Sequence, residues 1–304
     1  MTISKRSQQG LSPAARQKGF TLIEVLLATS ILVFMVVLLG TITSSVSQTW
    51  TTVNVQNQRR ATGRALLQFM AKEIKMARLP NPSGPGVSIE HIRLIANQTS
   101  PTALIPVECL NPHALYWQAP VESDPSKGTI AEIGYFVHWS AAPAKATLYR
   151  YFANPAANAT YSGTNWATKA VATDLNSPYN TSWLADNVIA LFVRCLDASG
   201  APITKMGNSA GTNYPTCSFD SQTGYTDPTT GYIHPGPVLP PAVEITIVVV
   251  DDNTAKRITG PIAPPAYSPG TLSADIQTFV NGLDPKIRPG AEVFSTTVFL
   301  QPTN

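Results

Sequence analysis

Lys18-Gly19-Phe20-Thr21-Leu22-Ile23-Glu24-Val25 opens an apolar run that continues to Gly40. From Phe20 to Gly40 the only charged residue is Glu24. About 20 such residues are enough to cross a hydrocarbon core of roughly 30 Å as a helix, so the stretch reads as a membrane span. An ionised acid at the centre of a span costs on the order of 2.5 to 3.5 kcal/mol on insertion scales, and its presence therefore points to a role. A plain signal anchor leaves Glu24 unexplained. A cleavable signal peptide needs a small-residue cleavage site after the run; none is obvious, and the helical pattern continues beyond it.

Charge is divided unevenly along the chain. The formal total is +3, but residues 1–19 hold Lys5, Arg6, Arg16 and Lys18 and no acid, so removal of that segment leaves −1. By the positive-inside rule these cations keep the leader in the cytoplasm and place everything after the span outside it. The expected topology is a single pass with the leader inside and the head outside. Residues 79–304 carry 11 cations and 16 acids. Such an acidic head argues against a general nucleic-acid binder, whose affinity rests on neutralising phosphates.

The helical period persists after Gly40 through Trp50, Val53, Asn57 and Ala61, then Leu66, Leu67, Met70, Ile74 and Ala77. One helix is predicted from Phe20 to about Arg78, ended by Leu79-Pro80-Asn81-Pro82, because proline removes a donor and biases its predecessor out of the α region. Its first half needs lipid or other helices around it, and its second half lays the Leu66 to Ala77 stripe on a sheet. Beyond Pro82 the period becomes that of strands, expected at 87–96, 103–110, 113–118, 132–140, 146–152, 188–197, 243–251 and 292–300. Residues 271–283 read as a short helix with Leu272, Ile276, Phe279, Val280 and Leu283 on one face. The stretches 153–182 and 198–241 read as long loops or insertions. The expected class is α+β: a leader (1–19), a transmembrane and stalk helix (20–78, span 20–40), and an exported head (79–304) with an antiparallel sheet against the stalk.

The usual phosphate, zinc and nucleophile signatures are missing: there is no G-x-x-x-x-G-K-[ST], H-E-x-x-H, G-x-S-x-G or C-x-x-C. The four histidines are scattered, and His138, between Val137 and Trp139, reads as a sheet residue. No enzymatic activity and no cofactor are expected. Asp197, Asp220, Asp227, Asp251 and Asp252 flank the 198–241 connection or its neighbouring strands, and oxygen-rich loops can hold Ca²⁺. Their spacing matches no known calcium loop, so solvated turn acids are the favoured reading. Arg59, Arg60 and Arg64 form a basic cluster, most simply a solvated helix face. Three cysteines, Cys109, Cys195 and Cys217, are an odd number for an oxidising compartment. Cys195 and Cys217 flank the long connection, and a bridge between them, closing about 22 residues, is expected to contribute roughly 3 kcal/mol.

Gly19-Phe20-Thr21-Leu22-Ile23-Glu24 resembles the processing and methylation signal of type IV pilins and type II secretion pseudopilins. The resemblance implies that a prepilin peptidase cuts between Gly19 and Phe20, that Phe20 is then N-methylated, and that Glu24 guides assembly with other pilin or pseudopilin subunits. Two later blocks, 184–191 and 239–247, resemble the C-terminal strands of the minor pseudopilin J family, and are similar to a pilin-like group known as Verru_Chthon cassette protein C. The chain departs from pseudopilin J in the 198–241 connection and in the tail after Gly260. The implied function is that of a minor pilin or pseudopilin of a type II secretion or type IV pilus-like system, working by filament assembly. A reading from another class is a membrane-anchored adhesin-like or DNA-binding module.

Overall fold

A proline-free sequence lets one helix, α1 (Leu22–Ile74), run for 53 residues, about 80 Å at 1.5 Å per residue. The computed structural model describes residues 19, 21–79, 93–97, 110–121, 130–141, 144–153, 181–214, 216–264 and 267–300. α1 closes through the tight bonds Met76 N–H to Glu73 O and Ala77 N–H to Ile74 O, slightly inside the predicted end. Contacts divide the chain into residues 1–54 and residues 55–304. The last part of α1 thus belongs to the head, where Gly63, Leu66, Leu67, Met70, Glu73 and Ile74 form its buried stripe.

The strands follow in order: β1 (Ile95–Ala96), β2 (Ala114–Ala119), β3 (Ala131–Ala141), β4 (Ala144–Ala153), β5 (Thr181–Asp186), β6 (Val188–Leu196), β7 (Lys205–Met206), β8 (Phe219–Asp220), β9 (Gly224–Thr226), β10 (Ile233–Pro235) and β11 (Ala242–Val250). Two short helices, α2 (Asp252–Ala255) and α3 (Leu272–Asn281), precede a 3₁₀ turn at Arg288–Gly290 and the last strand, β12 (Ala291–Phe299). These strands pair antiparallel and make three sheets, ordered β5-β4-β3-β2-β1-β8, β10-β9-β7 and β12-β11-β6. The α+β class is as expected.

The centre of the six-stranded sheet is buried on both faces. Leu115, Trp117, Ile133, Tyr135 and Val137 join the main core with the α1 stripe, while Tyr116, Phe136 and Tyr151 form a second cluster with Ile95. Alternate residues of one strand go to opposite faces, which is why Tyr116 and Trp117 part company. Gly134 sits opposite Tyr116 in the register, and a Cβ there would collide with that ring. On the three-stranded β12-β11-β6 sheet α3 lays Leu272, Ile276 and Phe279 down as predicted, with Phe279 edge-on to Phe192 at 5.8 Å.

Glu73 is the acid in the buried α1 stripe. Arg150 of β4 meets it with two bonds, Nε to Oε2 at 3.0 Å and Nη2 to Oε1 at 2.7 Å, and Tyr135 of β3 donates its hydroxyl to Oε2. The guanidinium also lies over the Phe152 ring, 4.4 Å from its centroid. Burial, with Glu73 beside it, pushes the Tyr135 phenol well up, so it stays a donor.

Further along the helix, the Phe294 ring of β12 occupies the space where a Cβ of Gly63 would stand. Exchange of glycine for an ordinary residue inside a helix normally gains up to about 1 kcal/mol. Here Gly63→Val is expected to cost about 1–3 kcal/mol instead, because a close-packed ring must shift. Denaturant titration in detergent micelles measures the sign; a variant as stable as the wild type would show that the contact is not tight.

The structure departs from several expectations. Three sheets replace a single one, and the 198–241 connection contains β7 to β10 with Tyr214, Cys217, Phe219 and Tyr225 buried; it is not an open loop. β5 occupies 181–186, partly inside what reads as a loop. Of the expected strand 87–96 only Ile95–Ala96 falls within the described residues as a strand, and 103–109 lie outside them, as do 154–180. The expected Cys195–Cys217 bridge is not formed: both are free, buried thiols. Burial pushes both upward, Cys217 to about 12. Cys109 lies outside the described residues.

Candidate anchoring and assembly segment

The helix begins where the sequence turns apolar. Glu24 and Val25 both donate their backbone N–H to the Thr21 carbonyl, at 3.0 and 3.2 Å, forming the first turn. Glu24 lies in that turn, where the positive end of the helix dipole favours an acid. Gly19 is exposed; Phe20 and residues 1–18 lie outside the described residues. Gly19 and Glu24 therefore stand around a helix start, while the expected scissile bond is only half described.

From Leu22 to Val46 every large apolar side chain is exposed, Leu22 at 79% and Phe34 at 66%. This helix is long and apolar enough to cross a membrane, and its most apolar window has no buried residue. Four of its hydroxyls are turned inward. Thr29 donates to Leu26 O at 3.0 Å, Ser30 to Leu27 O at 2.8 Å, Thr41 to Leu38 O at 2.8 Å and Thr43 to Leu39 O at 2.8 Å. Each hydroxyl satisfies its donor on its own helix, which lowers the polar cost of a lipid or helix-bundle environment. Glu24 is the exception: its carboxylate has no hydrogen-bond or ion-pair partner among the described residues. An apolar, unburied stretch of helix with one acid near its start that has no partner among the described residues is suited to meet something outside this chain.

The other candidate positions have internal partners. Arg59 donates to Glu292 Oε2 at 3.0 Å and to Gly290 O at 2.8 Å, and its Nη1 lies 3.4 Å from Asp251 Oδ2. Arg60 reaches Glu292 Oε1 at 3.0 Å. The basic cluster is thus largely an internal tie between α1 and β12, and Arg64 alone of the three keeps the solvated role. Burial works against ionising Asp197, but Ser199, Thr229 and the backbone N–H groups of Ala201 and Ser199 hold it below the usual carboxylate range. Asp227 is lowered by the backbone N–H groups of Thr230 and Thr229. Asp251 caps α2 through Thr254 N–H at 2.9 Å, and Asp252 accepts from Asn187 at 2.5 Å. Among the described residues no group of three or more His, Cys, Asp or Glu side chains is arranged to hold a metal ion. His138 is a β3 residue, edge-on to Tyr149.

Residues 14–40 match the family profile described as the prokaryotic N-terminal methylation motif, and Gly19, Phe20 and Glu24 all fall inside the match. A motif of this prepilin type implies N-terminal processing by a peptidase and assembly with other pilins. Among solved structures, a type IV-like pilin from Thermus thermophilus aligns at 13% identity over 80% of this chain and 96% of its own, with a TM-score of 0.37. No curated protein matches the chain. The chain is type IV pilin-like in carrying this motif at the head of a long apolar helix whose final turns pack on antiparallel sheets.

Proposed function

We propose that the chain is a minor pilin or pseudopilin: a subunit whose leader is removed by a prepilin peptidase and whose apolar helix then carries it from the inner membrane into a type II secretion or type IV pilus-like filament. The observation that carries this reading is Glu24, without a partner among the described residues, in the apolar, unburied first part of α1 and inside the matched methylation motif. The proposed work is assembly and contact, with no reaction of its own. With the leader cations held in the cytoplasm, the head lies in the periplasm. Cleavage between Gly19 and Phe20 creates a new amine at Phe20, and that amine on a neighbouring subunit is the proposed partner of Glu24.

Intact-mass measurement of protein extracted from membranes tests the processing step. The expected species lacks residues 1–19 and carries one methyl group on Phe20. A mature chain that retains Lys18, or one cut after Gly40, would refute the assignment.

A further inference from the structure

We propose that the outer edge of β12, with the groove between it and α1, is a docking site for an acidic, extended segment of a partner protein, added as a fourth strand to the β12-β11-β6 sheet. This docking needs only the head and stands whether or not the chain joins a filament.

β11 pairs with β12 on one side along its whole length, from Ala242 opposite Phe299 to Val250 opposite Ala291, without a register shift. Among the described residues no strand pairs with the other side. Such an edge presents unpaired N–H and C=O groups and is a template for another strand. Natural edges are usually blunted by lysine, proline or a bulge within the strand. β12 (AEVFSTTVF) has none of these. Its single charge, Glu292, is held by Arg59 and Arg60. The strand is rich in β-branched and aromatic residues, which favour pairing.

The groove beside this edge defines the occupant. α1 and β12 run alongside each other, with Arg59 and Arg60 at Glu292, Gly63 at Phe294, and a cavity of about 460 Å³ where Gln68, Lys72 and Lys75 face Thr297 and Phe299. Phe299 is 63% exposed. Lys72 and Lys75 are exposed and have no partner among the described residues, and no described acid lines the cavity. The acid between them in sequence, Glu73, turns inward to Arg150. Two cations without a described partner and an exposed ring, beside an edge that no described strand covers, fit a strand that alternates acidic and apolar side chains, since strand addition takes affinity from main-chain bonds and specificity from alternate side chains.

The test uses the full-length protein in neutral detergent micelles and fluorescein-labelled peptides of sequence Glu-Val-Glu-Val-Glu-Val and Lys-Val-Lys-Val-Lys-Val, read by anisotropy. The acidic peptide is expected to bind at least about tenfold more tightly than the basic one, and to protect β12 amides from hydrogen exchange. Lys72→Glu with Lys75→Glu should abolish that preference, while Arg64→Glu, on the same helix outside the groove, should leave it unchanged. Equal binding of both peptides, no binding, an unaffected double variant, or loss with Arg64→Glu would overturn the proposal. So would equal competition by an oligothymidylate, which would mean general anion attraction. Concentration-dependent dimerisation with β12-to-β12 crosslinks would also overturn it, by assigning the edge to a second copy of this chain.

Discussion

Replacing Glu73 by alanine is expected to destabilise the head by about 3–5 kcal/mol, the usual consequence of removing one member of a buried ion pair. Arg150 would lose both of its bonds to the carboxylate, and Tyr135 its acceptor. The Arg150 side chain is only 18% exposed, so water cannot fully replace what is lost. The pair need not be worth that much in itself. Glu73→Leu combined with Arg150→Leu keeps the volume apolar and is expected to recover a large part of the loss, because the penalty in the single variant comes mainly from a stranded charge. Denaturant titration of wild type, single and double variants separates these cases. A single variant within about 0.5 kcal/mol of wild type, the range of ordinary surface substitutions, would contradict the buried tie.

Much of this architecture is legible in the sequence because its causes are local. A span is a matter of composition over about 20 residues. The strands β3, β4, β6, β11 and β12 are nine to eleven residues long, enough for β-branched and aromatic runs to register. The face of α3 is visible for the same reason, in the spacing of Leu272, Ile276 and Phe279. What stays hidden is non-local or too short. β7 to β10 have two or three residues each, below the length at which a period can be counted. Arg59 and Arg60 read as a solvated basic patch because their partner, Glu292, lies 233 and 232 positions away. Glu73 looks like an ordinary helix charge until Tyr135 and Arg150 arrive from 62 and 77 positions further on. The candidate site is legible because Gly19 to Glu24 is contiguous; its partner is not, because no described residue of this chain supplies one.

Glu24→Val or Glu24→Ala is expected to insert and be cleaved as the wild type does, yet fail to join a filament. A valine removes the only charge from the apolar run, so anchoring in lipid should be no weaker. On the proposed assembly, the substitution removes the partner for the amine that cleavage would create at Phe20 of the next subunit. That amine would be left unpaired in an apolar bundle, at a cost of about 3–5 kcal/mol. The same proposed pairing would set the register. A helix whose surface from Leu26 to Leu39 is exposed and almost wholly apolar can slide along its neighbours unless one charge pair selects a position.

The most direct measurement is in-membrane crosslinking between neighbouring subunits, made on cells carrying the wild-type chain or Glu24→Val at matched levels of processed protein. Assembly through this acid predicts a ladder of crosslinked subunits for the wild type and its loss in the variant. An equal ladder from both would contradict it and leave the apolar helix as an anchor.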